Sequence, residues 1–310
     1  MNVCRGVQNL KKQILSPILT IGNFDGVHLG HQALFKKISA RAKEINGASV
    51  VVTFEPHPVK VLAPEKGLPL LTTFDQKIKL IEKSEIDNVI CVDFTRSFAA
   101  QSQREFIKNL LIDKINVKEV ILGHDFFFGR GREGNTMSLM KMGEELGFKV
   151  DFLDPVELNG EIISSSLIRD QLREGNVKSA AKYLGRLYRL EGKVIKGFRK
   201  GSAIGFPTAN IDVHDNLIPH RGVYATLIKT RRKTHTGVVN VGYNPTFKRE
   251  RLSIEAHLFD FNENLYNEMV KIFFVDKIRD EVAFASAEEL KLRIQKDTLI
   301  AKDLVKKGQF

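Results

Sequence analysis

The sequence predicts an α/β doubly wound parallel sheet followed by a small all-β closed barrel with a C-terminal helix. Three observations carry that prediction. Through residue 185, short β-rich runs alternate with longer segments of helical periodicity. After Gly185 the runs become strands joined by Gly, Pro and Asn connections, and helical patterns vanish until the end. The chain has 310 residues, enough for two domains at roughly 100–200 residues each. The domains are therefore residues 1–185 and 186–310.

The elements follow in order. Residues 17–21 form a strand, and Leu34, Ile38, Ala42 and Ile45 then recur at helical spacing up to a C-cap at Asn46-Gly47. Residues 48–54 are a β-branched, buried strand. Thr73-x-x-Gln76 and Ser102-x-x-Glu105 are capping boxes that open two further helices, with a strand at 88–93 between them. Strand 119–122, helix 136–146 and strand 149–153 complete the rhythm. Such a sheet carries helices on both faces and binds ligands beyond the carboxyl ends of its strands. In the second domain, residues 188–195, 222–229, 234–241, 252–258 and 269–275 read as strands. Short strands need their edges covered, which favours a closed barrel. Ser286-x-x-Glu289 then caps a helix with Leu290, Ile294, Leu299 and Val305 on its apolar side.

Composition excludes several classes. With 43% hydrophobic and 27% charged residues, the chain is neither disordered nor fibrous. No stretch reaches the roughly 18–20 unbroken apolar residues of a transmembrane helix, and residues 1–12 lack the apolar core of a signal peptide. Two cysteines, Cys4 and Cys91, make neither a disulfide framework nor a four-thiolate zinc site. A reducing cytoplasm is the expected location, with no membrane partner. The net charge of +11 suits anionic partners such as nucleotides, and serves plain solubility equally well. Its densest runs, 229–233 and 248–251, are short, so no nucleic acid is expected as a partner.

The strongest chemical signal is Thr20-Ile-Gly-Asn-Phe-Asp-Gly-Val-His-Leu-Gly-His31. A strand ends, a glycine-bearing loop follows, and a helix begins near Leu29. Glycines let backbone approach phosphate, and helix N-terminal amides favour anions. His28 and His31 are three apart and share a helix face, where both rings can donate to phosphate oxygens. No Cys or carboxylate is spaced to make them a zinc site. Gly129-Arg-Gly-Arg-Glu-Gly134 mimics a dinucleotide fingerprint, but three phenylalanines separate it from the strand. The same stretch mimics a P-loop with Asn135 in place of the required Lys, so it reads as a basic, mobile loop near a nucleotide. In residues 252–258 the apolar positions alternate, which puts Ser253, Glu255 and His257 on the other face. That pattern alone fits a solvated strand face. Thr208 and Asn210 follow a Gly-Phe-Pro turn, and two neutral oxygens suit Mg²⁺.

Further segments come in a telling order: Thr53-Phe-Glu-Pro-His-Pro58, Gly123-His-Asp-Phe-Phe-Phe-Gly129 and Ile163-Ser-Ser-Ser-Leu-Ile-Arg169. Then come Gly205-Phe-Pro-Thr-Ala-Asn210, Asn240-Val-Gly-Tyr-Asn-Pro-Thr-Phe247, Ile254-Glu-Ala-His-Leu258 and Asn264-Leu-Tyr266. With Gly22 to His31, which resembles the His-x-Gly-His signature of the nucleotidyltransferase superfamily, the set resembles the prokaryotic bifunctional riboflavin kinase/FAD synthetase family over about residues 16–305.

The resemblance implies a nucleotidyltransferase-like first domain that turns FMN and ATP into FAD and pyrophosphate. It implies a second domain that phosphorylates riboflavin with ATP. Gly22, Asn23, Phe24, Asp25, Gly26, His28, Gly30 and His31 would surround the ATP phosphates, with Asp125 on the nucleotide or flavin side. Ser164, Ser165, Ser166 and Arg169 would form a second cradle. Phe54, Pro56, Pro58 and Phe128 would line the flavin site, although Phe128 fits core packing nearly as well, and His57 reads as structural. In the kinase, Glu255 would be the base and Thr208 and Asn210 would hold Mg²⁺. Gly201, Gly205 and Pro207 would lie on the nucleotide, under a loop bearing Arg199 and Lys200. Arg279 would close the flavin site or make a surface ion pair. Ser166 replaces the usual Thr and keeps its hydroxyl, whereas Leu167, Ser202 and Asn267 depart further from the usual family residues, so an enzyme with one live module is the first alternative. A nucleic-acid-binding or regulatory protein is the second. The expected small-molecule partners are riboflavin, FMN and ATP, with Mg²⁺ as cofactor.

Overall fold

Strand β2 (Pro17–Ile21) is buried along its whole length and is central to a six-stranded parallel sheet. Its partners are β1 (Asn2–Arg5), β3 (Ala48–Glu55), β4 (Asn88–Asp93), β5 (Glu119–Gly123) and β6 (Lys149–Leu153), in the order β1-β4-β3-β2-β5-β6. The computed structural model describes residues 1–10, 13–123, 126–196, 205–243 and 252–308. The chain runs outward from β2 through β3 and β4, then returns to the other side of β2 with β5. The strand order therefore reverses at the β2/β5 boundary, where open α/β sheets bind their ligands.

Strand alternation sends side chains to two cores. Ile18, Val51, Val89 and Ile121 pack with Leu34, Phe35, Ile38 and Ala42 of α1 (Leu29–Glu44) and Ile81 of α3 (Phe74–Glu82). On the opposite face, Leu19, Val50, Val52, Ile90, Val120 and Leu122 pack with Phe106 of α5 (Gln103–Phe106). Ile107, Leu110, Leu111 and Ile115 of its π-helical continuation, Ile107–Ile115, and Leu139 of α6 (Thr136–Leu146) join them. Helices thus cover both faces, as the βαβα rhythm predicts. Both capping boxes form: Thr73 with Gln76 opens α3 and Ser102 with Glu105 opens α5. Sequence periodicity missed the edge strand β1. It is short and exposed, so it carries no alternation to read.

The chain packs as two units, Met1–Ser164 and Ser165–Phe310. The sequence divides the chain at 185/186, where the rhythm changes; the packing groups α7 (Ser165–Arg173) and α8 (Val177–Leu184) with the barrel. One reason is a hydrogen bond from His220 N to Leu172 O, 2.9 Å.

The second unit is the expected closed barrel. The chain reaches it after a short hairpin, β7 (Glu157–Leu158) and β8 (Glu161–Ile162). Its strands are β9 (Tyr188–Ile195), β10 (Ala209–Asp212), β11 (Gly222–Lys229), β12 (Thr234–Tyr243), β13 (Leu252–Leu258) and β14 (Met269–Arg279), closed in the order β10-β13-β12-β11-β14-β9. Strand periodicity missed β10, which is too short to show an alternation.

The C-terminal helix α9 (Ala287–Lys307) starts on Ser286, whose hydroxyl accepts from Glu289 N. Its Asp297 is only 2% exposed. Its carboxylate takes Arg279 Nε at 2.9 Å and Nη2 at 2.8 Å, and Arg293 Nε at 3.3 Å. Breaking a buried pair from one side strands the other charge, at a cost of about 3–5 kcal/mol. Asp297→Ala is therefore expected to lower the second unit's unfolding free energy by about that amount. A denaturant titration reads it, and an unchanged midpoint would contradict it.

Candidate active sites

The first site starts where β2 ends. Residues 22–28 turn sharply, with Phe24 at φ 49°, Gly26 at 81° and Val27 at 40°. Left-handed backbone at two non-glycine residues costs roughly 1–3 kcal/mol each, so the fold must hold the turn. Asp25 is one holder. Only 4% exposed, its carboxylate accepts from Leu71 N, Thr72 N and Thr72 Oγ1, while Gly26 N donates to Thr72 Oγ1. Asp25, expected on the nucleotide, thus directs these hydrogen bonds inward as a clamp.

His28 is the N-cap of α1: its Nδ1 accepts from His31 N at 3.4 Å. An Nδ1 that accepts leaves the neutral ring's proton on Nε2, a donor. The His28 and His31 rings stack with centroids 3.5 Å apart, and Phe24 sits edge-on to His31 at 5.1 Å. Gly30 makes the stack possible, since a Cβ there would sit 3.2 Å from the His28 ring. The sequence-predicted pair is therefore brought together on one helix N-terminus.

The candidate flavin wall leaves β3. Phe54 packs against Phe94 (5.6 Å) and Phe98 (6.0 Å), and the chain of rings continues through Phe106 to Phe128 and Phe126. The Glu55–Pro56 peptide is cis, and Pro58 opens α2 (Pro58–Leu62). His57 caps that helix, its Nδ1 accepting from Val59 N, which is a structural role. Phe128 is 6% exposed and belongs to the core cluster. Sequence reading missed Phe94, Phe98, Phe106 and Phe126 because nothing in their local spacing marks them as one wall.

The glycine-rich stretch after Phe128 is tied down and is not a phosphate loop. Phe128 and Gly134 exchange backbone hydrogen bonds, Arg130 N donates to Gln101 O, and Glu133 Oε1 accepts from Gln103 N. Asn135 caps α6 with Ser138, occupying the helix start that a phosphate would need.

Ser164 ends the first unit, and Ser165 and Ser166 open α7. Arg169 follows within the same helix and is buried. Asp125, Gly201 and the neighbouring Arg199, Lys200 and Ser202 lie outside the described residues.

The second site is built by barrel register. Glu255 on β13 stands directly between Asn210 on β10 and Asn240 on β12. The alternation read from sequence holds: Ile254, Ala256 and Leu258 are buried while Ser253, Glu255 and His257 are partly exposed. His257 Nδ1 meets Pro207 O at 2.9 Å, and its ring sits edge-on to Phe206. That contact pins the turn from Gly205 (φ 87°) through Pro207 and Thr208 against β13. Thr208 and Asn210 thus reach the strand that carries Glu255. Asn240 was missed as a site residue, because only cross-strand pairing places it beside Glu255. Arg279 directs its guanidinium to Asp297, a buried ion pair where the sequence reading offered either the flavin site or a surface one.

A hydroxyl, an amide oxygen and a neighbouring carboxylate suit Mg²⁺, which takes few protein ligands and completes its shell with water and phosphates. Among the described residues no cluster of three or more His, Cys, Asp or Glu forms a metal cage. No helix among them is long and apolar enough to cross a membrane.

Comparison with known proteins agrees with this architecture. Residues 11–167 match the FAD synthetase family model and residues 184–305 the riboflavin kinase model. The bifunctional riboflavin kinase/FMN adenylyltransferase of Buchnera aphidicola subsp. Schizaphis graminum is 41% identical, covering 97% of this chain and 98% of that protein. The enzyme of that name from Escherichia coli K12 is 37% identical over 98% and 97% of the two chains. A crystal structure titled as a macrolide-efflux protein from Streptococcus pneumoniae superposes with TM-score 0.89 at 28% identity, over 98% of this chain and 99% of that one. With both family models matched in order and relatives aligned end to end, the chain belongs to the bifunctional riboflavin kinase/FMN adenylyltransferase family.

Proposed function

We propose that the two activities divide between the two sites, with FAD formation at the 22–31 turn and riboflavin phosphorylation at the Glu255 face of the barrel. The observation that carries the reading is the barrel register, which sets Glu255 between Asn210 and Asn240.

In the first reaction an FMN phosphate oxygen attacks the α-phosphorus of ATP. The bond from that phosphorus to the bridging oxygen breaks, and pyrophosphate leaves. The nucleophile is already anionic at neutral pH, so catalysis is positioning plus charge stabilisation. His28, through Nε2–H, and His31 donate to the phosphates. The backbone of Gly22, Asn23 and Gly26 shapes the same turn, held by Gly22 N donating to Val52 O and Gly26 N to Thr72 Oγ1, and Gly30 eases the packing of the stacked rings. Ser164, Ser165, Ser166 and Arg169 supply hydroxyls, helix-start amides and a positive charge. Phe54, Pro56, Pro58 and Phe128 offer flat apolar walls to the isoalloxazine ring.

In the second reaction the nucleophile is a neutral hydroxyl. Glu255 accepts its proton as the oxygen attacks the γ-phosphorus, and ADP leaves. Thr208 and Asn210 would hold Mg²⁺, which when bound neutralises phosphate charge. Gly205 and Pro207 shape the turn that presents them, with Gly201 proposed on this nucleotide and Asp125 on that of the adenylyltransferase site. Arg279 fixes α9 beside the barrel through Asp297, and its proposed service to the flavin is indirect. The location proposed is the cytoplasm, with no nucleic-acid partner.

A fragment of residues 165–310 tests this division. Incubated with riboflavin, ATP and Mg²⁺, it is expected to yield FMN and no FAD by chromatography, and nothing when the cation is chelated. Starting instead at 186 removes α7, α8 and the Leu172 acceptor of His220, so that shorter fragment should melt lower. FAD from the fragment, or FMN under chelation, would overturn the reading.

A further inference from the structure

Lys77 occupies an unusual place for a lysine. It lies in α3, three residues after Phe74 and four before Ile81, on the helix's apolar face. It is 6% exposed. Its Nζ donates to Asn23 O at 3.1 Å and to Thr53 Oγ1 at 2.9 Å, and lies 5.6 Å from the centre of the Phe74 ring. Thr53 Oγ1 closes the triangle, 3.3 Å from Asn23 O. Burial pushes the Lys77 ammonium below the usual lysine range, against the through-space pull of Glu55, Cys91 and Asp25. Burial likewise pushes the neighbouring Cys91 thiol up to about 11.

A solvent-facing lysine costs nothing, whereas this one is held in the fold with its charge desolvated. Its two partners show what it does there. Asn23 belongs to the turn proposed for the ATP phosphates. Thr53 is the residue before Phe54, where the candidate flavin wall begins. One buried ammonium therefore ties together the backbone of the two reactant subsites. It also orients a peptide: in a trans peptide the C=O and the following N–H point in opposite directions. With the Asn23 carbonyl drawn to Lys77, the Phe24 N–H points away from it.

We propose that Lys77 is a positioning residue for adenylyl transfer, which fixes the Asn23 peptide of the phosphate turn at a set distance from the flavin-bearing end of β3. The proposal rests on the assignment of FAD formation to the 22–31 turn. Two reacting phosphates must meet at about 3–3.5 Å, and a misplacement of about 1 Å costs about 10²-fold in rate.

The test is Lys77→Met in the full-length protein. Met keeps the unbranched apolar stem and removes a buried charge, and Asn23 O retains Thr53 Oγ1 as donor. The fold should therefore hold or gain stability, so a lost contact would not by itself slow the reaction. The expected result is a kcat for FAD formation lower by about 10–100-fold, with KM for ATP and FMN changed by less than about threefold. Riboflavin phosphorylation should be unchanged. Thr53→Val serves as the second variant: it leaves Lys77 in place and cuts the tie to β3. Its loss in kcat should not add to that of Lys77→Met in the double mutant. Parent-like kcat in either folded single variant, or additive losses in the double, would overturn the proposal. A purely structural role would instead lower the melting temperature and leave the kcat of the folded fraction intact. His28→Ala with His31→Ala, run beside them, separates the two claims. If that pair keeps its FAD activity, the site assignment is wrong; if it fails while Lys77→Met does not, only the positioning role is lost.

Discussion

His28→Ala combined with His31→Ala is expected to abolish FAD formation from FMN while riboflavin phosphorylation continues. Removing one preorganised donor from a developing phosphate charge costs about 10²–10³ in rate. The two rings stack at 3.5 Å, and residues that act as a unit lose activity non-additively, so their losses should not simply multiply. A pair mutant at or beyond the upper end of that range is the expected outcome. His28 is also the N-cap of α1, and losing a cap costs about 0.5–2 kcal/mol. His28→Asn separates the two roles, since Asn still offers an oxygen to His31 N but lacks the imidazole Nε2–H. A melting temperature near the parent's with FAD formation still lost would confirm the chemical role. FAD formation at the parent rate in the double mutant would remove both histidines from the mechanism.

Glu255→Gln is expected to lower FMN formation by about 10²–10⁴, the usual worth of general-base catalysis. A loose, metaphosphate-like transition state asks less of a base, so the lower end of that range is expected. Gln keeps the size and hydrogen bonding needed between Asn210 and Asn240 but cannot take the hydroxyl proton. FAD formation from supplied FMN should be untouched, because that nucleophile is already ionised and is activated in the other unit. Both half-reactions are measured on one mutant protein, with its melting temperature as the folding control. Near-normal kinase turnover in the folded mutant would return Glu255 to the solvated strand face that its alternation first suggested.

Much of this was legible in the order of residues. The capping boxes at Thr73 and Ser102 formed as written, because a cap is satisfied within four residues of chain. The 252–258 alternation placed Glu255 outside the barrel core, because strand periodicity is local. The His28/His31 pair was visible for the same reason, its two rings being three residues apart on a helix start. Asp25 and Lys77 were not legible in their roles. Both are charged side chains turned inward, and the groups that justify their burial, Leu71 and Thr72 for one, Asn23 and Thr53 for the other, lie 24 to 54 residues away. A lysine on the apolar face of a capped helix was the one trace Lys77 left in the sequence.

The sequence by itself determined the two fold classes, the strands and helices long enough to show a period, and the candidates for meeting phosphate and hydroxyl. Those follow from interactions closed within one turn or one strand, where spacing alone decides which side chains meet. Only the tertiary structure decided which of them stand together. Register between β10, β13 and β12 set Asn240 beside Glu255, and the Asp297 carboxylate claimed Arg279 for the C-terminal helix. The reversal of strand order at β2 and β5 put the 22–28 turn at the switch point where open α/β sheets bind their ligands. The physical reason is that a hydrogen bond or ion pair between distant segments is chosen by how sheets and helices pack, and packing depends on the whole core rather than on any local pattern.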